Sequence, residues 1–218
     1  MTPKQWCILM PTNTGVKMDG KEIILKYLAE KSNEEEVIAL LEEQKKVLAN
    51  PKNIPAILTE NYLPLLLKLA KKSNGKIKYH ALIILSNFEV CMNTGNFFEL
   101  CQIVAANSKN KDGNIRKACV IMIKSLNATM MVLPMFNKLQ KTSDTEINLY
   151  YESFRNLFYR LYFLVYNQSE QNIRRSVLKS LEIMLPKFYD MAKFWKDKEE
   201  LEMADKIKEE QQKVSAWT

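Results

Sequence analysis

Four cysteines, one histidine, several acidic pairs and a recurring set of cations are the residues of this sequence that could do chemistry. Cys7, Cys91, Cys101 and Cys119 contain no Cys-x-x-Cys pair, whereas a tetrahedral zinc site draws paired Cys and His ligands from short spacings. They read as reduced, buried thiols of an intracellular protein. No metal site and no cofactor is expected. His80 stands beside Tyr79 in the first turn of a helix. A Cys–His nucleophile pair would need its side chain to meet a thiol such as that of Cys119, and no spacing brings the two together. A packed or surface histidine is expected. Glu34-Glu35-Glu36, Glu42-Glu43 and Glu199-Glu200 fall on polar helix faces and read as solvated charge. No Gly-rich phosphate loop occurs. The residues supply no catalytic constellation, and the expectation is a protein that is not an enzyme.

The cations carry the sharpest pattern. Lys71, Lys72, Lys76 and Lys78 gather at one turn, Lys109, Lys111, Arg116 and Lys117 at a second, and Arg174 and Arg175 at a third. If equivalent turns line one edge, they form a basic ridge suited to acidic protein or to a phosphate backbone. The competing reading is solvated lysine with a structural Arg116. A second pattern is aromatic: Tyr150, Tyr151, Phe154, Phe158, Tyr159, Tyr162, Phe163 and Tyr166, interleaved with Arg155 and Arg160. Aromatics with arginines can stack bases, but a stripe this thick at helical spacing reads as core or as a buried interface.

The elements that hold these residues are helical. The chain has 218 residues, 47% hydrophobic and 26% charged, with 5 Gly and 7 Pro. That suits a folded globular protein and leaves little material for a turn-rich β-fold. A 3.6-residue period dominates and no period-2 strand stands out. A helix begins after Asp19, carrying Ile23, Ile24, Tyr27 and Leu28. Asn33 caps the next, which has Val37, Ile38, Leu41 and Leu48 on its stripe and stops at Asn50-Pro51. Further helices are expected over 62–72, 77–88, 96–106 and 115–126. One long helix of roughly six turns is expected around Tyr150 to Val165. Short polar loops between them suggest antiparallel helix hairpins. No uninterrupted apolar run approaches the ~18 residues of a membrane span. Trp6 to Met10 is too short for a signal-peptide core, and the C-terminal residues carry no lipidation cysteine. The expected location is cytosolic or nuclear, with no membrane partner.

The helices repeat. Ile77, Ile115 and Ile173 superimpose, each preceded by a polar loop and followed by a cation: Lys78, Arg116 or Arg174. Four residues on come Ala81, Cys119 and Val177, then Leu85, Ile123 and Leu181, then Phe88, Leu126 and Met184. Offsets 0, 4, 8 and 11 share one helix face. The first step is 38 residues and the second 58. The surplus 20 reads as half a repeat or a degenerate one, filled by the aromatic helix.

Asp112-Gly113-Asn114-Ile115-Arg116-Lys117-Ala118 resembles the start of the second helix of a HEAT repeat, where an Asp precedes a Val-Arg pair and an Ala. Ala81 to Phe88 is similar to the Ala-Leu-…-Leu-Ser-Asn-Leu run of armadillo repeats. The resemblance covers roughly residues 54 to 190. It implies an all-α fold, a right-handed α-solenoid of antiparallel helix pairs, acting as a scaffold. It also implies that Asp112 and Arg116 are structural, since the matching Asp and Arg of HEAT repeats pair between neighbouring repeats. Asn87 matches the armadillo Asn that binds extended peptides, but Ile83 stands where its Trp is expected, and Ser125 and Ile183 continue the columns without an Asn ladder.

The organisation expected is an irregular segment over 1–20, a repeat domain over 21–193 and an acidic C-terminal helix over 194–218. That last helix is a cap or a partner-binding element. Charge divides differently: residues 51–193 are strongly basic, while 1–50 and 194–218 are weakly acidic, which together give the net +7. The leading functional expectation is a non-enzymatic scaffold whose basic ridge takes an acidic protein partner. The alternative is nucleic-acid binding, as in the HEAT-like alkylpurine DNA glycosylases. Against it, Trp6, Trp195 and Trp217 all lie outside the central repeats, and that family's catalytic Asp has no counterpart. A tubulin-binding HEAT array is a third reading, without the Trp such modules carry in early loops. The sequence leaves the oligomeric state open.

Overall fold

Apolar residues recurring every three or four positions, bounded by capping side chains, set the helices of this protein. In the computed structural model, residues 20–48, 62–87, 93–139 and 143–215 are described. The irregular segment expected over 1–20 (Gly20 excepted), the Asn50-Pro51 stop, Phe88, Trp6, Trp217, Cys7 and Cys91 lie outside them. Among the described residues there are nine helices and no strand: α1 (Gly20–Glu30), α2 (Glu34–Leu48), α3 (Leu63–Lys72), α4 (Gly75–Leu85), α5 (Thr94–Asn107), α6 (Gly113–Lys138), α7 (Asp144–Asn167), α8 (Gln171–Trp195) and α9 (Lys198–Ser215).

Local chemistry explains the boundaries. The Asn93 side chain accepts from the Asn96 amide at 2.8 Å and starts α5. Asp112 accepts from the Asn114 amide at 2.8 Å and starts α6. Ser143 and Glu146 form a reciprocal capping box at the start of α7, which satisfies two otherwise orphaned amides. Its two hydrogen bonds from Ser143 hold the Glu146 carboxyl below its ordinary range. Between α3 and α4 the chain turns on Gly75 at φ +52°, a conformation a Cβ would oppose.

The protein divides into two compact units, residues 1–87 and 88–218. In the first, α1 packs on α2 and α3, while α4 packs on α2 and α3. In the second, α5 packs on α7 and α6 on α8, with α5–α6, α6–α7 and α7–α8 contacts between neighbours and α9 laid on α8. In each unit described helices pack on partners beyond their neighbours, α2 on α4 in the first and α5 on α7 and α6 on α8 in the second, which is how stacked helix pairs share a continuous core. The protein is an all-α helical repeat on this packing.

The repeat register is kept in three helices. Ile77, Ile115 and Ile173 are each the third residue of their helix, α4, α6 and α8, and all three are buried. Ala81, Cys119 and Val177 follow them inward, as do Leu85, Ile123 and Leu181. The longer second step has a simple origin. No additional helix accounts for it: α6 and α7 have 26 and 24 residues, where α4 and α5 have 11 and 14. The helix expected to end at Leu126 continues to Lys138 because Met130 and Leu133 keep the buried stripe going. Pro134 lies inside it at an exposed position.

Helix α6 also corrects the expectation about apolar runs. Gly113–Met135 is long and apolar enough, by length and composition, to cross a membrane. Half of its most apolar window is buried inside the protein. Its outer stripe leaves Met131, Met135 and Leu139 exposed.

The aromatic stripe of α7 divides along its helix faces. Phe154, Phe158 and Tyr150 are buried. Phe158 stacks on Phe188 of α8 with ring centroids 3.7 Å apart, and Tyr150 meets Phe97 of α5 edge-on. Burying one such ring is worth about 2–3 kcal/mol of transfer free energy. Phe163 and Tyr166 remain exposed at the rim.

Candidate functional site

The cations sit where the repeat puts them, at helix starts and in the turns before them, but they do not do one job. The turn between α3 and α4 belongs to the first unit. Lys71, Lys72 and Lys76 are exposed there, while Lys78 is buried at 8% exposure. The Lys72 carbonyl accepts from Lys31 at 3.5 Å. On the next turn of α4, His80 is buried against α2, with Nε2 3.4 Å from the Glu42 carboxylate and Tyr79 edge-on to its ring. Burial pushes its pKa below the usual histidine value, against the opposing pull of Glu42. This is a packed histidine.

In the second unit the turns before α6 and α8 are neighbours. Arg116 donates from Nη1 to the carbonyls of Asn110 and Lys111, at 2.8 and 2.9 Å, and from Nε to Ser176 Oγ at 3.3 Å. Its guanidinium thus closes its own loop and ties the first turn of α6 to the second turn of α8. Asp112 caps α6 instead, so the implied pairing is replaced by loop carbonyls and Ser176. Arg174, at the same register in α8, donates from Nη2 to Glu210 of α9 at 2.8 Å. Around these two, Lys109, Lys111, Lys117 and Arg175 are exposed. The structure therefore brings together two of the three cation groups within one unit and removes Lys78, Arg116 and Arg174 from direct display.

Asn87 turns its side-chain amide back on its own helix, donating to the Ile83 carbonyl at 2.9 Å. Cys101 and Cys119 are buried, and burial pushes the Cys101 thiol far above its ordinary pKa. Among the described residues, no group of three His, Cys, Asp or Glu is placed to hold a metal ion.

A cluster that the sequence pattern did not reveal lies under α9. Arg155 and Tyr159 of α7 both meet the Glu200 carboxylate, Tyr159 donating from its hydroxyl at 2.9 Å. Arg155 also reaches Asp197 at 3.7 Å and lies over the Tyr159 ring. Glu200 is fully buried. Farther along, Tyr189 of α8 donates to Asp205, whose carboxylate together with desolvation pushes the Tyr189 phenol up to about 12. Glu200 marks a helix seam with Ala204, Ile207 and Gln211 at spacings of four, three and four. That spacing was the available signal, since an acidic residue on an apolar stripe asks for a buried cation.

No protein-family model matches the sequence, and no curated protein does. Solved structures similar to the chain include three engineered proteins. One is an engineered protein from a structural genomics consortium, 10% identical, with 87% of this chain and 95% of that chain covered at a TM-score of 0.42. A designed armadillo repeat protein is 12% identical, with 86% and 87% covered and a TM-score of 0.39. A designed armadillo repeat protein in complex with the peptide (KR)4 is 14% identical, with 88% and 99% covered and a TM-score of 0.38. At this degree of likeness the fold rests on the protein's own helix packing.

Proposed function

We propose that this protein is a non-enzymatic interaction scaffold that takes an acidic protein partner on the basic turns of its second unit. The observation that carries the reading is the Arg116–Ser176 hydrogen bond. It links the start of α6 to α8, and Lys109, Lys111, Lys117 and Arg175 near these helix starts have exposed side chains. Fixed cations on rigid helix starts steer an acidic segment and set its register. Lys71, Lys72 and Lys76 give the first unit a basic turn of its own. The reading places the protein in the cytosol or nucleus.

The test is capture from lysate with the unaltered protein and with a variant carrying Lys109→Glu, Lys111→Glu, Lys117→Glu and Arg175→Glu. The expected result is an acidic protein bound by the first, lost by the second and released as salt rises. Binding that is indifferent to salt and to the four substitutions would remove the turns from the mechanism. Retention of duplex or single-stranded nucleic acid at low salt, in place of protein, would favour the phosphate-backbone alternative.

A further inference from the structure

Helix α9 is attached to the second unit by charge more than by apolar burial. Of its described side chains only Glu200, Ala204 and Ile207 are fully buried. Polar contacts hold it further along: Arg174 to Glu210, Tyr189 to Asp205, and the Gln211 amide to the Leu178 carbonyl at 3.4 Å. From the Tyr189–Asp205 pair to the Arg174–Glu210 pair, residue numbers fall along α8 as they rise along α9. Glu210 is partly exposed, and Asp205 is exposed, so water and salt compete for both. The short link from α8 passes through Lys196, at φ 56° in the left-handed region, which a residue with a Cβ adopts at a cost. Glu200 Oε2 is buried without a hydrogen-bond partner, a further cost of the docked state.

The receiving face is the complement. It offers Arg155 and Tyr159 from α7 and Tyr189 and Arg174 from α8, cations and phenols that read carboxylates. Arg174 belongs to the same repeat position as the basic turns. We infer that α9 is an exchangeable occupant of an acidic-helix site on the α7–α8 face. The partner it fits is an amphipathic helix with a carboxylate at the start of an apolar seam and further carboxylates on both flanks. Such a helix competes with α9 for Arg155 and Arg174. The inference rests on the reading that the second unit's cations take acidic protein, and it specifies a helical partner that must first displace the protein's own acidic helix.

The probe is a fluorescently labelled synthetic peptide of residues 198–215, titrated against the full chain. Two chain variants loosen α9 while leaving the receiving face intact: Glu210→Gln and Asp205→Asn, both outside the core. Freeing the site raises apparent affinity in proportion to the open fraction, so each variant should bind the peptide about two- to fivefold more tightly than the unaltered chain. Peptide carrying Glu210→Gln should bind the same variants more weakly. Hydrogen exchange should show α9 opening in the variants while α8 stays protected. Unchanged affinity in both variants overturns the exchange, whatever their stability. An extended polyglutamate peptide separates the two proposals. If it binds all chains alike and the helical peptide binds none better, the exposed-cation reading stands and the exchange falls. If only the helical peptide is taken up by the loosened chains, the exchange stands and the exposed turns lose their role.

Discussion

The two units use one packing scheme for different ends. In both, described helices pack on partners beyond their neighbours, and both bury an isoleucine at the third residue of the repeated helix. The first unit does this with helices of 10 to 15 residues, the second with helices reaching 26. The residue after that isoleucine is Lys78, Arg116 or Arg174, and it meets three fates. Lys78 is buried, Arg116 laces a loop to the next helix, and Arg174 holds α9. A repeat fixes where a side chain starts; the neighbour it meets decides what it does.

The largest expected effect breaks the comparison in the second unit. Phe188→Ala removes the ring stacked on Phe158 and should cost about 3–5 kcal/mol. Hydrogen exchange should report the loss in α6, α7 and α8, with amides of α1 to α4 protected as before. Equal loss in both units would mean that they unfold as one. Next comes Arg155→Ala, which leaves the buried Glu200 carboxylate with Tyr159 alone. Because Arg155 is itself 39% exposed at its side chain, the expected cost is about 2 kcal/mol, read by urea denaturation and concentrated in α9.

Two smaller effects belong to the first unit. Gly75→Ala puts a Cβ at φ +52°, where no other atom lies within 4 Å. The cost is therefore backbone strain alone, about 1 kcal/mol. If that variant is as stable as the original, the turn has relaxed. The smallest effect is pH dependence through His80. Its folded pKa lies below the unfolded value, chiefly by desolvation, with Glu42 raising it and Lys45 and Lys76 lowering it further. The unfolded chain therefore binds the proton first as pH falls. Stability should be complete above the ordinary histidine range and decline as pH drops through it towards the lowered value. His80→Gln should flatten that part of the profile, and an unchanged slope would assign the dependence to other groups.

Much of the fold is legible in residue order because helix period and capping are local. Ser143 and Glu146 spell a capping box, and Ile77, Ile115 and Ile173 spell a register, in any context where a core lies to one side. The extra length between the second and third of these isoleucines misled as half a repeat. Sequence spacing does not distinguish an added helix from two lengthened ones. The candidate site was legible only in part. Clustered cations mark turns, but exposure depends on what packs nearby: Lys78 against the core, Arg116 against Ser176, Arg174 against Glu210.

By itself, the sequence determined that this protein is helical, that its helices repeat, and that its charge gathers at the turns. Those follow from the 3.6-residue period and from side chains acting within a few positions of themselves. Only the tertiary structure decided that two units carry the repeats, that Arg116 reaches Ser176, and that carboxylates of α9 meet Arg155 and Arg174. Contacts such as Arg155 with Glu200 and Arg116 with Ser176 join residues 45 and 60 positions apart. Their energy depends on burial and distance, which exist only once the helices have packed.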